Sequence, residues 1–410
     1  MQSNYKRLGD YIREVKVKNT DLRATLLLGI NIDKFFMPSV ANVIGTDMAT
    51  YRVVNKNQFG CNRMHVGRDY RIPIALSKRN EPFMVSPAYD VFEIIDPSFL
   101  MPEYLMMWFS RKEFDRNAWF HTDADVRGGL PWKLFCDLKL PIPSPEKQIE
   151  IVREYNIIQN RIKLNNKIIT KLEKTAQTIY KQWFVDFEFP NEIGLPYKSN
   201  GGVMVESNLR KIPKGWSDAK LSKVVVSQYG YTASADYLID GPKFLRITDI
   251  SNDNIDWNSV PNCEITNKEF DKYALEAGDI VVARTGATVG FAKQINKLSP
   301  PAVFASYLVR LKIKNKKLFR YVGLSVVSQA YRDYILSVAG GSAQPQANAA
   351  LMIDYNIVIP LGDIIDKVNK LINPIFDFQE VLQIENSKMI ELKELILAKM
   401  TKIEMEKEFA

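Results

Sequence analysis

Histidine and cysteine are nearly missing from this chain, with two of the first and three of the second in 410 residues. Cys61, Cys136 and Cys263 are isolated, without a Cys-x-x-Cys pair, so neither a zinc knuckle nor a disulfide framework is expected and a reducing cytoplasm fits. His65 and His121 lack the spacing of a helical zinc site, and each reads as a polar or base-contacting side chain rather than a catalyst. Phosphate-cradling glycine loops, a dinucleotide turn and a nucleophile elbow are all missing. Asn373-Pro374-Ile375-Phe376 shares only its first two residues with the Asn-Pro-Pro-Tyr signature that holds a flipped adenine. Residues 1–10 have no apolar core and the Leu26-Leu27-Leu28 run is far too short for a bilayer, so no membrane association is expected. Acid is missing too: none stands between Asp279 and Asp333.

What is present is basic and repeated. The formal net charge of +8 is uneven. Arg52, Lys56, Arg63, Arg68, Arg71, Lys78 and Arg79 crowd residues 51–80 against Asp69 alone, and Arg284, Arg310, Lys312, Lys314, Lys316, Lys317 and Arg320 fall in the acid-free stretch. Such runs often only solvate a surface, but one in each half points to a polyanion such as double-stranded DNA.

Two long helices are legible. The first carries a heptad seam of Ile158, Ile162, Asn165, Ile169, Leu172, Ala176, Ile179 and Trp183. The second repeats it as Phe378, Leu382, Glu385, Met389, Leu392, Ile396, Lys399 and Ile403, with Glu385 standing where Asn165 stood. Each could pack its stripe on a nearby core. Charged flanks and a seam kept over several heptads favour helix against helix, antiparallel, with Asn165 and Glu385 fixing register. A helix of some 40 residues is about 60 Å long, enough to space two globular parts along a duplex.

Other landmarks also recur in order. Leu8 answers Leu221, Tyr104 answers Tyr321, Gly128-Gly129 answers Gly340-Gly341, and Leu140-Pro141 answers Ile359-Pro360. The expected fold is therefore α+β: two globular domains of mixed α/β structure, a pseudo-two-fold internal duplication, and two long helices forming an antiparallel coiled coil. Residues 1–145 form the first domain, 146–189 the central helix, 190–209 a linker, 210–361 the second domain and 362–410 the last helix. Candidate DNA contacts in the first domain are Asn55, Asn57, Gln58, Asn62, Arg63, His65, Arg68, Arg71, Lys78 and Arg79, since amides and guanidinium groups suit adenine and guanine edges. In the second they are Gln228, Tyr229, Tyr231, Arg246, Arg284 and Thr285, with Lys312 and Lys314 as phosphate contacts. Arg246 and Asp249 could equally form an internal ion pair.

These residues resemble the specificity subunits of type I restriction-modification systems. The resemblance runs over the whole chain and is carried in the first half by residues 58–69, Val85-Ser86-Pro87-Ala88-Tyr89, Val126-Arg127-Gly128-Gly129 and Lys181-Gln182-Trp183-Phe184-Val185-Asp186-Phe187. In the second half it is carried by Leu245-Arg246-Ile247-Thr248-Asp249-Ile250, residues 278–286 and Gly341-Ser342-Ala343-Gln344-Pro345-Gln346. It implies two target-recognition domains, each reading one half of a split DNA site, with helices that set the spacer. It also implies two modification (methyltransferase) subunits that carry S-adenosylmethionine, restriction (motor-nuclease) subunits, and no cofactor or catalysis on this chain. The alternatives are a self-contained DNA methyltransferase and a coiled-coil protein that binds DNA without sequence preference.

Overall fold

The computed structural model describes residues 5–39, 45–64, 66–122, 128–251, 255–295, 300–340 and 345–401. His65 and Ile403 lie outside them. The chain condenses into two compact units, residues 1–162 with 387–410, and residues 163–386. The division falls inside both long helices, so each unit owns part of each.

The head of the first unit is built on a four-stranded antiparallel sheet. Its strands are β1 (Ile12–Glu14), β2 (Phe59–Cys61), β3 (Ile74–Leu76) and β4 (Asp90–Ile94), in the order β1-β4-β2-β3. Helices α1 (Pro102–Phe109) and α2 (Lys112–Phe120) follow. Phe59, Phe92, Phe109 and Phe135 are buried together; the Phe59 and Phe92 rings stack at 5.0 Å. The head of the second unit has β5 (Val225–Tyr229), β6 (Ile280–Ala283), β7 (Ala292–Gln294) and β8 (Leu308–Ile313), in the order β5-β8-β6-β7. That is the same order with the same antiparallel sense.

The duplication extends to single bonds. The Tyr104 hydroxyl donates to the Pro141 carbonyl (3.1 Å), and Tyr321 makes the matching bond to Val358. The Leu8 amide donates to Leu138 (2.8 Å), and the Leu221 amide to Tyr355 (2.7 Å). One strand pair departs from the pattern. Arg52–Val54 runs antiparallel to Phe83–Val85, whereas Lys243–Leu245 runs parallel to Ala302–Phe304.

The central helix α3 (Pro145–Tyr180) opens with proline at its first turn, where a missing amide hydrogen costs nothing. Gln148, fully buried, ties that turn to the first head: it accepts from the Met101 amide (2.9 Å) and donates to the carbonyls of Phe99 (2.8 Å) and Pro143 (2.9 Å). At its far end α3 widens into a π turn, Lys181–Val185. In the second head, α4 (Phe319–Val326) and α5 (Gln329–Val338) occupy the places of α1 and α2, and the last helix is α6 (Gly362–Lys399). Asn373-Pro374-Ile375-Phe376 lies inside α6, in helical backbone rather than a base-holding loop.

The long helices pack on each other, antiparallel. In the second unit the buried Asn165 amide donates to Glu385 (3.0 Å) and Asn386 (3.0 Å), Asn386 donates to Asn166 (2.8 Å), and Gln379 donates to the Ile169 carbonyl (3.2 Å). In the first unit Ile151 and Val152 share a core with Leu397 and Met400. On α3 the seam lies where the heptads put it. Ile169 and Ala176 are buried, and Ile158, Ile162, Leu172, Ile179 and Trp183 are half-buried.

On α6 the phase differs by one residue toward the ends. Leu382 is buried and Glu385 and Met389 are half-buried, but Phe378 and Leu392 are exposed, while Gln379, Leu397 and Met400 are buried. Ile396 stays half-buried against the core. A helix of 3.6 residues per turn drifts about 20° per heptad from a 3.5 repeat. From Leu382 onward that drift carries the inward face from the Leu392 and Lys399 positions to Leu397 and Met400.

Asn165→Ala should cost about 1–3 kcal/mol, because it removes two bonds from a dry site. Urea denaturation of the single variants and of the pair with Asn386→Ala should show a coupling above about 0.5 kcal/mol.

Candidate nucleic-acid interface

The candidate contacts of the first head divide between the two ends of the β2-β3 hairpin. Asn55, Asn57, Gln58, Lys78 and Arg79 stand at one end, where the Asn57 amide donates to Ser77 (2.8 Å) and Lys56 reaches Asn80 (2.8 Å). Asn62, Arg63, Arg68 and Arg71 stand at the other.

Their side chains are committed to different degrees. Gln58 is buried: its Nε2 donates to Glu93 (2.8 Å) and its Oε1 accepts from the Asn55 amide (2.8 Å). Arg63 donates to Asp90 (2.6 Å) and to the Leu130 carbonyl, and lies over the Trp132 ring. Arg68 pairs with Asp69 (2.7 Å), Arg71 with Asp33 (2.9 Å), and the Asn62 side chain accepts from the Met64 amide (3.1 Å). Asn57, Lys78 and Arg79 remain exposed, and the nearest carboxylate to Arg79 is Glu81 at 4.0 Å.

In the second head Arg284 holds the place of Arg63. It follows the equivalent strand, and its carbonyl accepts from Ala347 (2.9 Å) as that of Arg63 accepts from Leu130 (3.0 Å). The Arg284 guanidinium lies 4.9 Å over Tyr229, whose hydroxyl accepts from the Ala349 amide (3.1 Å). Thr285 bridges to Gln346. Tyr307, 62% exposed, stands beside Arg284, and its carbonyl accepts from the Arg284 amide (3.0 Å). It was not among the residues read as contacts from sequence, since an isolated tyrosine in a turn carries no pattern.

Both heads close this end with glycine-dependent backbone contacts. The Gly67 amide donates to Gly128 (2.7 Å), and a Cβ on Gly67 would meet the Gly128 Cα at 2.7 Å. In the second head the Gly286 amide donates to Pro345 (3.1 Å). The shared end thus carries an arginine over an aromatic ring in each head, Arg63 over Trp132 and tied to Asp90, Arg284 over Tyr229, with loops that differ between the heads.

No protein-family model matches the chain. Among curated proteins it is 25% identical over 235 residues to the type I restriction enzyme MjaVIII specificity subunit of Methanocaldococcus jannaschii, a match covering 56% of this chain and 53% of that one. The chain thus spans about half the length of that relative. It is 20% identical over 368 residues to the HindI specificity subunit of Haemophilus influenzae, covering 75% and 79%. The chain is thus similar to type I restriction specificity subunits, at 20% to 25% identity. A crystal structure of such an S subunit from M. genitalium overlaps 97% of the chain and 95% of its own at 12% identity, with a TM-score of 0.49.

The remaining candidates make bonds within the fold. Arg246 caps a short helix by three bonds to Asp249, at 2.8, 3.0 and 2.9 Å. Gln228 accepts from the buried Arg310, which also donates to the carbonyls of Ala274 (2.7 Å) and Lys272 (3.3 Å). Tyr231 donates to Glu269 (3.2 Å). Lys312 pairs with Glu276 (2.6 Å) and Lys314 donates to Ser222 (2.9 Å), both at the sheet end opposite Arg284.

Burial would raise Glu93, yet the bonds donated by Gln58 and Arg13 hold it below its ordinary 4.5. A depressed carboxylate contributes stability that is present above the unfolded value and lost as pH falls through the folded one. Gln58→Leu should therefore cost about 1–3 kcal/mol at neutral pH and flatten the acid limb of a stability-versus-pH curve.

Proposed function

We propose that this chain is the non-catalytic DNA-specificity subunit of a type I restriction-modification complex. Each head reads one half of a bipartite site, and the paired helices set the half-site spacing and dock two modification subunits. Those subunits carry S-adenosylmethionine and methylate adenine; restriction subunits join them for cleavage. The supporting observation is the duplicated head, with Arg63 and Arg284 at the same strand end and different loops around them. One scaffold with two loop sets suits two different half-sites, and exposed amides, guanidinium groups and lysines suit base edges and phosphates. Among the described residues no helix is long and apolar enough to cross a membrane, and work on DNA places the complex in the cytoplasm.

A randomised-DNA selection with the assembled complex should return two half-motifs separated by a fixed gap; one contiguous motif would overturn the reading. If Lys78 and Arg79 touch phosphates, replacing each with Ala should reduce the slope of log K against log salt by about 0.9. The selected motif should stay the same.

A further inference from the structure

The second unit holds a cavity of about 820 Å³ at the π turn of α3. Four rings wall it: Tyr180, Phe184, Tyr321 and Tyr355. Lys174, Lys181 and Arg210 line it as well, and among the described residues no aspartate or glutamate does. Arg210 is held in place by donating to the Phe184 (3.2 Å) and Val185 (3.1 Å) carbonyls, and Lys181 reaches out to Asp186 (2.8 Å). Burial pushes the Tyr180 phenol up to about 12, so it remains a neutral hydroxyl at working pH. The size is that of a ligand site, and rings beside Lys174 and Arg210, with no carboxylate among the described wall residues, select an occupant that is both aromatic and acidic.

The internal repeat indicates what kind of ring belongs there. Tyr104 and Tyr321 are equivalent by their matching bonds, and one helical turn further on the first head has Trp108 where the second has Ser325, a residue of the cavity wall. Trp108 is 6% exposed, with the Arg111 guanidinium stacked on it at 4.3 Å and Tyr5 at its edge. The first head thus supplies its own indole against a cation. The second has a serine there and leaves the space open.

We propose that this cavity is a socket for an aromatic side chain flanked by carboxylates on a partner polypeptide, and, resting on the function proposed above, that the partner is a modification subunit. Ser325→Trp fills the socket from within; Lys174→Glu reverses an exposed rim charge and leaves the core untouched. The full chain is titrated with 8-anilinonaphthalene-1-sulfonate, an aromatic anion, and separately with purified modification subunit. Each variant should bind both at least about tenfold more weakly than the wild type, the cost of losing one anchoring contact. The melting temperature should be unchanged for Lys174→Glu. If Ser325→Trp does not fold, Lys174→Glu decides alone. Unchanged affinity of the variants for the modification subunit overturns the socket, including the case where only sulfonate binding is lost, which would assign the cavity to a small aromatic anion. A wild-type chain that binds the sulfonate but no modification subunit overturns the functional reading and the choice of partner together.

Discussion

A buried amide between two antiparallel helices sets the terms for this structure. Asn165 is wholly out of solvent, and its side-chain nitrogen finds its two acceptors where Glu385 and Asn386 face it. A slip of one turn along either helix would bury an unpaired polar group, at a cost of several kcal/mol. Apolar residues in the same places would bind at least as tightly and tolerate such slips, so the polar contact trades stability for register. Gln379 adds to this by bonding the backbone of the partner helix rather than a side chain.

Register matters because neither helix is a free rod. Gln148 fixes one end of α3 to the loops before α1, and Tyr180, Phe184 and Trp216 share the core of the second head with Ile364, Ile365 and Val368 of α6. Each head is therefore closed partly by helix residues, and the chain cannot adjust its helix pairing without disturbing the packing of its heads. Duplicating such a unit preserves the contacts that build the scaffold, as the Tyr104 and Tyr321 hydroxyls show. It leaves the loops free to diverge, and one strand pair even differs in sense between the heads.

Much of this was legible in the sequence because it rests on periodicity and order. The helices, the pairing of Asn165 with Glu385 and the repeated landmarks all follow from spacing. The exposed C-terminal part of the α6 stripe was not, because a heptad count assumes a pitch that the helix does not keep over its full length. The site was less legible still. Gln58, Arg63 and Gln228 look in sequence like groups waiting for a base, yet each is occupied within the fold; for Arg246 the ion pair with Asp249 was one of two sequence readings, and the structure has it. For Gln58, Arg63 and Gln228 the partners, Glu93, Asp90 and Arg310, lie far along the chain, where no local pattern points to them.

The same reasoning changes how the charge should be read. The acid-free run after Asp279 reads as one basic surface, but Arg310 and Arg320 are buried, the latter stacked on Phe376 at 3.9 Å. Lys312 and Lys317 face Glu276 and Asp366, which come from outside the run. A stretch without acids is thus partly balanced by acids folded onto it, and its field outside the protein is smaller than its composition suggests. What stays exposed at this strand end of the second head is shape and aromatic surface, Tyr229 and Tyr307 beside Arg284, rather than a sheet of lysines. Attraction to phosphate is weakly selective, whereas an arginine held on a rigid turn against a ring can meet a base edge in only a few geometries. A head that uses most of its cations to hold itself together is therefore built more for discrimination than for adhesion.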